Sequence, residues 1–267
     1  MSDILETIAA YTKERIAQKK EQVPLKILEK RIDELDITKN YPFKTNLQTD
    51  GMSFICECKK ASPSKGIIAE KFPYLQIAKD YEKAGANCLS VLTEPKWFLG
   101  KDEYIKEITT EVSVPCIRKD FTVDEYMIYE AKALGASAVL LICSLLDKDT
   151  IKAWLHLTHE LGMSALVETH NETEMDMALS LGAGIVGVNN RNLKDFTVDV
   201  GNSGRLRSMV PKEVVFVAES GIKSREDVAR LEEIGADAIL IGETLMRAAD
   251  KKAMLDYLKG KGPNPND

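Results

Sequence analysis

The 267-residue sequence predicts an α/β fold in which parallel strands alternate with helices and close into a barrel. One observation is a repeat, because Gly85, Gly135, Gly182 and Gly235 each end a helical pattern and recur at intervals of 50, 47 and 53 residues. Another is that the apolar runs are largely unbroken, which is typical of parallel strands that helices cover on both faces. Length alone leaves one or two domains open, so the internal pattern decides.

Eight apolar runs supply the strands of this fold. Four of them follow the repeated glycines, which close helices at low steric cost because glycine adopts the left-handed conformation of a C-cap. The other four runs cover Ser53–Cys58, 115–119, 164–168 and 214–219. Helical stretches separate consecutive runs, and three of them begin with capping-box signals: Thr122 with Glu125, Asn171 with Glu174, and Ser224 with Asp227.

Eight strand and helix units in about 210 residues have the size and rhythm of a (β/α)8 TIM barrel. An open doubly wound sheet is the alternative, but a glycine-rich loop would follow its first strand, whereas this chain continues as Lys59-Lys60-Ala61-Ser62. We therefore predict a single domain. In it, residues 1–48 form a helical extension packed on the barrel, residues 49–260 form the barrel, and residues 261–267 form a flexible tail.

The composition limits the possible partners. Lys and Arg total 36 against 42 Asp and Glu, and the net charge of −6 argues against nucleic-acid binding. No apolar stretch approaches the roughly 20 residues that span a bilayer, and the first residues lack the pattern of a secretory signal. Five cysteines, an odd number inside apolar runs, fit reduced thiols, and zinc-site spacing is absent. We expect a cytoplasmic monomer or weak homo-oligomer without membrane, nucleic-acid or metal partners.

Polar residues and small turns stand where the predicted strands end, which in such barrels is where the chemistry collects. They are Glu57, Lys59, Lys119, Glu168, Asn189, Arg191, Glu219, Ser220, Gly242 and Glu243. Glu57 and Lys59 are two residues apart and therefore point the same way. If they face the mouth of the barrel, Cys56 and Cys58 face the helices.

Lys59, Lys119 and Glu168 are candidates for acid–base chemistry because each stands at the end of a buried strand. In a crowded and partly dry site, the pKa of a lysine can be lowered and that of a glutamate can be raised, which suits a general acid and a general base. His170 follows Glu168 closely enough to approach the mouth. Because Asn171 begins the next helix, we interpret His170 as a loop residue.

A phosphate site is predicted after the seventh and eighth strands. Residues 220–221 and 242–243 form small turns, and the second turn leads into the short helical stretch 244–247. Backbone N–H groups and a helix N-terminus bind phosphate at this place in a barrel. An anion in an acidic protein needs a local basic pocket. Its candidate residues are Lys59, Lys119 and Arg191.

Seven segments at the strand ends resemble the indole-3-glycerol phosphate synthase family of TIM barrels, and the similarity covers nearly the whole chain. The segments are 57–66, 91–94, 115–121, 166–168, 188–193, 218–222 and 240–243. The resemblance implies a carboxy-lyase of tryptophan biosynthesis. Its substrate would be 1-(2-carboxyphenylamino)-1-deoxyribulose 5-phosphate, a small phosphorylated aromatic molecule, and its products indole-3-glycerol phosphate, CO₂ and water. It implies neither a metal nor an organic cofactor.

The resemblance also implies roles for four charged residues. Lys119 matches the general acid that protonates the ketone oxygen of the substrate, and Glu168 matches the base of the later dehydration. Lys59 matches a lysine that contacts the substrate carboxylate and also donates a proton in some schemes, with Glu57 positioning it. The division of the acid steps between the two lysines stays open.

The remaining site residues bind or orient the substrate by the same resemblance. Asn189 and Ser220 would orient hydroxyl groups. The substrate-binding set is Ser62, Arg191, Glu219, Gly221, Gly242 and Glu243. Glu243 stands where some family members have serine, and a glutamate is tolerable there if its side chain turns outward, because backbone N–H groups hold the phosphate.

Two other functions remain open from the residues. Phosphoribosylanthranilate isomerase, another phosphosugar barrel, would need a cysteine base at the first strand and an aspartate acid at the sixth. This chain offers Glu57 with Lys59, and Asn189, at those places. A non-catalytic phosphosugar-binding subunit would keep the phosphate glycines but would not need lysines and a carboxylate at the mouth.

Overall fold

The computed structural model describes residues 4–192 and 196–265. The two chain ends and Leu193, the last residue of the matched segment 188–193, lie outside the described residues. Eight strands in the described part, labelled β1 to β8, are Ser53–Cys58, Cys88–Leu92, Cys116–Lys119, Ala138–Ile142, Ser164–Thr169, Ile185–Asn189, Val215–Glu219 and Ala238–Ile241. A short antiparallel hairpin of Ala61–Ser62 and Gly66–Ile67 follows β1.

Twelve helices, α1 to α12, complete this part of the chain. They are Ile4–Gln22, Leu25–Asp33, Pro42–Leu47, Tyr74–Lys83, Asp102–Glu111, Tyr126–Ala133, Lys148–Glu160, Glu172–Ser180, Gly201–Arg207, Arg225–Glu233, Glu243–Arg247 and Lys251–Leu258. The repeated glycines follow α4, α6, α8 and α10 with φ angles of 82°, 85°, 79° and 77°. These left-handed angles confirm the predicted helix ends. None of the twelve helices is both long and apolar enough to cross a membrane.

The eight strands close into a parallel barrel in the order β1-β8-β7-β6-β5-β4-β3-β2. This closure confirms the predicted (β/α)8 barrel with its helical extension and excludes the open sheet. The strand register sets polar ends side by side, since Asn189 of β6 pairs with Glu219 of β7 and Glu57 of β1 pairs with Ser90 of β2. The carboxyl ends of the strands therefore form one polar rim.

Apolar side chains pack in two layers, one inside the barrel and one between the barrel and its helices. Ile55, Ile117 and Leu166 are fully buried in the inner layer. Cys56 and Cys58 belong to the outer layer, as the alternation along β1 predicts. All five cysteines are free and buried. Glu57, between the two cysteines in sequence, is thereby turned to the inside.

Helix α3 closes the amino-terminal end of the barrel. Its Phe43 and Leu47 are 0% and 1% exposed and pack in the inner layer with Cys88 and Ala138, which begin β2 and β4. The sequence pattern did not predict this helix, because its six residues are too few to show a helical period.

Helix α1 lies at the opposite end, beside the mouth. Arg15 Nη2 donates to both carboxylate oxygens of Asp120, which follows β3, at 2.9 Å. Lys19 reaches Asp102 and Glu130 of the barrel helices, and the buried Arg118 contacts the same two carboxylates at 2.7 Å. Buried charges of both signs thus attach the extension to the strand that carries Lys119.

Two of the three predicted helix caps are confirmed. The Asn171 side chain accepts the Glu174 N–H, and Ser224 forms a complete capping box with Asp227. The prediction that Thr122 caps a helix with Glu125 is wrong, because α6 begins only at Tyr126 and the Thr122 side chain is buried.

Candidate active site

A cavity of about 710 Å³ opens at the carboxyl ends of the strands. It brings together every predicted site residue except Gly242: Glu57, Lys59, Ser62, Lys119, Glu168, Asn189, Arg191, Glu219, Ser220, Gly221 and Glu243. These residues come from six strands and the loops after them, and they converge because the barrel closes. Residues 4–192 and 196–265 contain no group of three or more His, Cys, Asp or Glu side chains arranged to hold a metal ion.

Lys119 is the cation at the centre of the site. Its Nζ lies 3.0 Å from Glu219 Oε2 and 3.5 Å from Glu168 Oε2. Burial by itself lowers the pKa of Lys119, but the charges of Glu219, Glu168 and Glu57 outweigh burial and hold this pKa well above its ordinary value. The expectation of a lowered lysine pKa is therefore wrong, because three carboxylates surround one ammonium group.

Glu168 is almost fully buried and faces polar groups on both carboxylate oxygens. Its Oε1 accepts a hydrogen bond from Asn189 Nδ2 at 3.3 Å and lies 3.3 Å from His170 Nε2. Burial raises the pKa of Glu168, yet the charges of Lys119 and His170 and the hydrogen bond from Asn189 lower it to about 2. The expected rise in the pKa of Glu168 is thus also wrong, and the carboxylate is ionised throughout the neutral range.

Glu219 is the carboxyl whose pKa does rise. Burial is the main cause and raises this pKa to about 7, while the attraction of Lys119 opposes the rise and the charge of Glu168 adds to it. Its Oε1 is buried and makes no hydrogen bond to a described residue. Glu219 and Glu168 thus share one ammonium group but hold their protons with very different strength.

Glu57 and Lys59 form a second ion pair beside the first. Lys59 Nζ lies 2.5 Å from Glu57 Oε1, and Ser90 Oγ donates to Glu57 Oε2 at 3.2 Å. Burial raises the pKa of Glu57, but Lys59 and Lys119 outweigh it and lower this pKa overall. Gly242 does not line the cavity, and its missing side chain makes room for the pair, since a Cβ there would lie 2.5 Å from Glu57 Oε1.

The turns after β7 and β8 form one end of the cavity. Ser220 and Gly221 both have positive φ angles, 67° and 83°, and a Cβ on Gly221 would lie 2.5 Å from Val198 Cγ1. The short helix predicted at residues 244–247 is present as α11, which begins one residue earlier, at Glu243. Glu243 Oε1 contacts Arg247 Nε at 3.1 Å, so its carboxylate is engaged with a side chain of its own helix.

The opposite part of the cavity has an apolar wall. Leu5 and Ile8 of α1 line it together with Phe98 and Phe121, whose rings pack 6.0 Å apart. The buried Glu94 carboxylate holds the Phe98 loop by accepting the backbone N–H groups of residues 96, 97 and 98. An aromatic substrate would find a matching surface here.

Several lining residues were not identified from the sequence. They are Leu5, Ile8, Lys65, Phe121, Lys223, Thr244 and Arg247. Lys223 and Arg247 stand within a few residues of the predicted phosphate turns, and this proximity was the available signal. No signal marked Leu5 and Ile8, because a helical apolar pattern does not reveal which surface it covers.

Solved structures show the same fold at low sequence identity. The 3-hexulose-6-phosphate synthase from Salmonella typhimurium superposes with a TM-score of 0.65 at 14% identity, over 79% of this chain and 98% of that one. A thiamine phosphate pyrophosphorylase from Pyrococcus furiosus gives 0.60 at 15% identity, over 82% and 96%. At such identities the likeness is one of fold alone.

Sequence relatives are much more similar. An indole-3-glycerol phosphate synthase from Ruminiclostridium cellulolyticum is 52% identical over 257 residues, covering 96% of this chain and 99% of the relative. One from Lachnoclostridium phytofermentans is 48% identical, with 96% and 98% covered. The family profile described as Indole-3-glycerol phosphate synthase matches residues 5–258. These matches decide against the isomerase and the non-catalytic subunit, and the chain belongs to the indole-3-glycerol phosphate synthase family.

Proposed function

We propose that Lys119 and Glu168 are the acid and the base with which this chain performs the reaction of its family in tryptophan biosynthesis. The observation that carries the proposal is the 3.5 Å contact between Lys119 Nζ and Glu168 Oε2 inside a cavity with an apolar wall. An ammonium group with a raised pKa keeps its proton, and a carboxylate with a lowered pKa stays ionised. The two groups are therefore held in complementary protonation states at neutral pH.

The reaction needs two protons delivered to oxygen and one removed from carbon. The aromatic carbon that bears the carboxylate attacks the ketone, whose oxygen takes the first proton. Loss of CO₂ restores the aromatic ring, and a second proton lets the same oxygen leave as water. A base then removes a proton from the neighbouring carbon to complete the indole. One proton is consumed overall, which balances the conversion of a carboxylate to CO₂.

Lys119 suits the first of these steps. It is half-buried, cationic and held by Glu219 and Glu168 from two other strands, so its Nζ is fixed near the middle of the mouth. A general acid held in place contributes about 10²–10⁴-fold to a rate. Glu168 suits the last step, and Asn189, which donates to its Oε1, would orient both the base and a substrate hydroxyl.

Lys59 would bind the carboxylate that leaves as CO₂. Glu57 holds its ammonium group at 2.5 Å and so fixes its direction. In one version of the scheme, Lys59 donates the second proton to the oxygen, and Lys59→Gln should then lose the dehydration step. In the other version, Lys119 donates both protons, and Lys59→Gln should keep the dehydration step.

We propose that the phosphate binds at the turns after β7 and β8. Ser220 and Gly221, which line the cavity, would offer backbone N–H groups, and the positive φ of Gly221 lets the backbone approach an anion closely. Lys223 and Arg247 line the same end and would balance its charge. Ser62 and Arg191 would contact the anionic groups from the loops after β1 and β6, and Glu243 would stay turned to Arg247.

We also propose that the protein works in the cytoplasm as a monomer or weak homo-oligomer. Its five free, buried thiols fit a reducing compartment. In the described residues, four large apolar side chains are exposed: Ile27, Leu35, Ile67 and Val198. Size-exclusion chromatography over a range of concentrations tests the oligomeric state.

The activity is tested by incubating pure protein with 1-(2-carboxyphenylamino)-1-deoxyribulose 5-phosphate and recording indole fluorescence. Wild-type protein should form indole-3-glycerol phosphate, and Glu168→Gln should lose turnover while still binding the substrate. Wild-type turnover by Glu168→Gln would remove Glu168 from the role of base.

A further inference from the structure

A histidine outside the cavity contacts the carboxylate that we propose as the base. His170 directly follows β5, and its Nε2 lies 3.3 Å from Glu168 Oε1. This Nε2 is buried and makes no hydrogen bond to any described residue, so its contact with Glu168 is an ion pair rather than a hydrogen bond. The ring does not line the cavity, and its side chain is 19% exposed. The interpretation of His170 as a loop residue therefore missed its contact with Glu168, which is made outside the cavity.

The other ring nitrogen is held by a helix terminus. His170 Nδ1 lies 3.1 Å from Glu174 Oε2, and the backbone N–H of His170 donates to the same oxygen at 2.8 Å. The cap residue Asn171 donates to Glu174 Oε1 at 2.9 Å and accepts the Glu174 N–H at 3.0 Å. Both oxygens of Glu174 are thus engaged, which fixes the imidazole ring in one orientation.

The charged groups around His170 come from two elements. Glu168 belongs to β5 and Glu174 to α8, and both are acidic. Helix α9 contributes Asn202, which donates to the His170 carbonyl at 3.3 Å. Arg205 of the same helix is engaged with Asn202 and Glu172. The ring therefore lies between two carboxylates, and the nearest cation to Glu168 besides His170 is Lys119.

We propose that His170 is a positioning residue for Glu168: held by Glu174, its imidazolium fixes Oε1 of Glu168 and leaves Oε2 directed to Lys119 and the cavity. The proposal rests on the proposed role of Glu168 as the base. It assigns Glu174, His170 and Glu168 to one chain of contacts that runs from the start of α8 into the active site.

The protonation states of His170 and Glu168 agree with this geometry. Burial lowers the pKa of His170, but its contacts with Glu168 and Glu174 outweigh burial and raise the pKa to about 10. The ring is then cationic throughout the neutral range. Glu168 stands between two cations, His170 at Oε1 and Lys119 at Oε2, so it stays ionised even while Lys119 is occupied with a substrate oxygen.

The kinetic test compares His170→Gln, which removes the charge but keeps an N–H donor, with wild type in single-turnover measurements from pH 4 to pH 8. Loss of a neighbouring cation raises the pKa of a carboxyl group by about 1–3 units. Since the wild-type value is about 2, the pKa of Glu168 in the variant should be about 3–5, and the ratio of the variant rate to the wild-type rate should fall towards low pH. The ratio removes the titration of Glu219 near pH 7, which both proteins share. KM should not change, because His170 does not touch the cavity.

Controls separate this effect from general damage. His156 is exposed on α7, and His156→Gln should leave the pH profile as in wild type. Glu174→Gln should shift the profile in the same direction as His170→Gln, because the imidazole loses one of its two carboxylates. Circular dichroism at pH 4 and pH 8 checks that each variant is folded.

A second measurement does not depend on activity. The chain has three histidines, so the imidazole signals of wild type can be assigned in NMR spectra by comparison with His170→Gln and His156→Gln. His170 should titrate far above the ordinary value of 6.5, and its titration midpoint should fall in Glu168→Gln. A midpoint near 6.5 in wild type would overturn the proposal.

The two proposals fail in different ways. If Glu168→Gln turns over like wild type, the role of Glu168 as base is wrong, whatever His170 does. If Glu168→Gln is inactive but His170→Gln keeps the wild-type profile down to pH 4, only the role of His170 is wrong.

Discussion

Lys119 and Glu219 form an ion pair of 3.0 Å across the mouth, although β3 and β7 stand on opposite sides of the barrel. Glu168 of β5 reaches the same ammonium group at 3.5 Å. One cation is therefore shared by carboxylates from two other strands. Because the three strands meet only when the sheet is closed, the protonation states of the site depend on barrel closure.

Replacing the shared cation should abolish most of the activity. We expect Lys119→Ala to lower turnover by about 10²–10⁴-fold, because the general acid is lost. The fluorescence assay for indole-3-glycerol phosphate measures this, and circular dichroism checks the fold. Lys106→Ala, at an exposed position of α5, serves as the control and should keep wild-type turnover. Product formation at the wild-type rate by Lys119→Ala would refute its assignment as the acid.

The raised pKa of Glu219 predicts a pH-dependent difference in stability. The unfolded carboxyl loses its proton near 4.5 and the folded one near 7, so wild-type stability contains a contribution that is lost as pH rises through this window. Glu219→Gln lacks that contribution. The difference in unfolding free energy between the variant and wild type should therefore change by on the order of 2–3 kcal/mol in favour of the variant as the pH rises from 5 to 8.

Urea unfolding at pH 5, 6, 7 and 8 measures this difference, with Glu14→Gln at an exposed position of α1 as the matched control. The control should follow wild type at every pH. A constant difference between Glu219→Gln and wild type across the four pH values would show that Glu219 titrates as in the unfolded chain.

Gly242 predicts a steric effect on the Glu57 and Lys59 pair. In Gly242→Ala the new Cβ would lie 2.5 Å from Glu57 Oε1 and 2.9 Å from Lys59 Nζ, so the pair has to shift. A displacement of about 1 Å in an active site costs roughly 10²-fold in rate, and we expect kcat/KM to fall by about that factor. Gly204→Ala is the control, since its Cβ would make an ordinary contact of 3.9 Å. Equal kcat/KM for the two variants would contradict the prediction.

The contact between Arg15 and Asp120 predicts a stability contribution from the extension. The side chains of the pair are 11% and 1% exposed, and removing one partner of a buried pair costs about 3–5 kcal/mol. Arg15→Ala should lower the free energy of unfolding by about that amount. Lys20→Ala removes a pair that is 43% and 30% exposed and should cost less than about 1 kcal/mol. Urea unfolding at neutral pH compares the two, and similar losses would show that Arg15 contributes no more than a surface charge.

The barrel was predictable because its signals are local. Each repeated glycine marks a helix end that needs a positive φ, and each apolar run marks a strand buried on both faces. The site residues could be proposed for a related reason, since charges such as Lys119 and Glu168 stand where apolar runs stop. Closure of the strands then brings them to one cavity.

The protonation states could not be predicted, because they depend on distances between strands. A buried lysine alone would lose its proton, and only the three carboxylates around Lys119 reverse the shift. Helix α3 was missed for a different reason. Its six residues are too short for a periodic pattern, and the burial of Phe43 and Leu47 under the barrel stabilises it.

The attachment of α1 also constrains the order in which the chain can fold during synthesis. Arg15 meets Asp120, which lies 105 residues later, and Lys19 meets Glu130, which lies 111 residues later. Helix α1 leaves the ribosome before β3 and α6, so its charges are paired only after those later elements have been made. Until then the apolar residues of α1 have no barrel surface to cover, and a nascent chain that stops before α6 exposes them to chaperones and proteases.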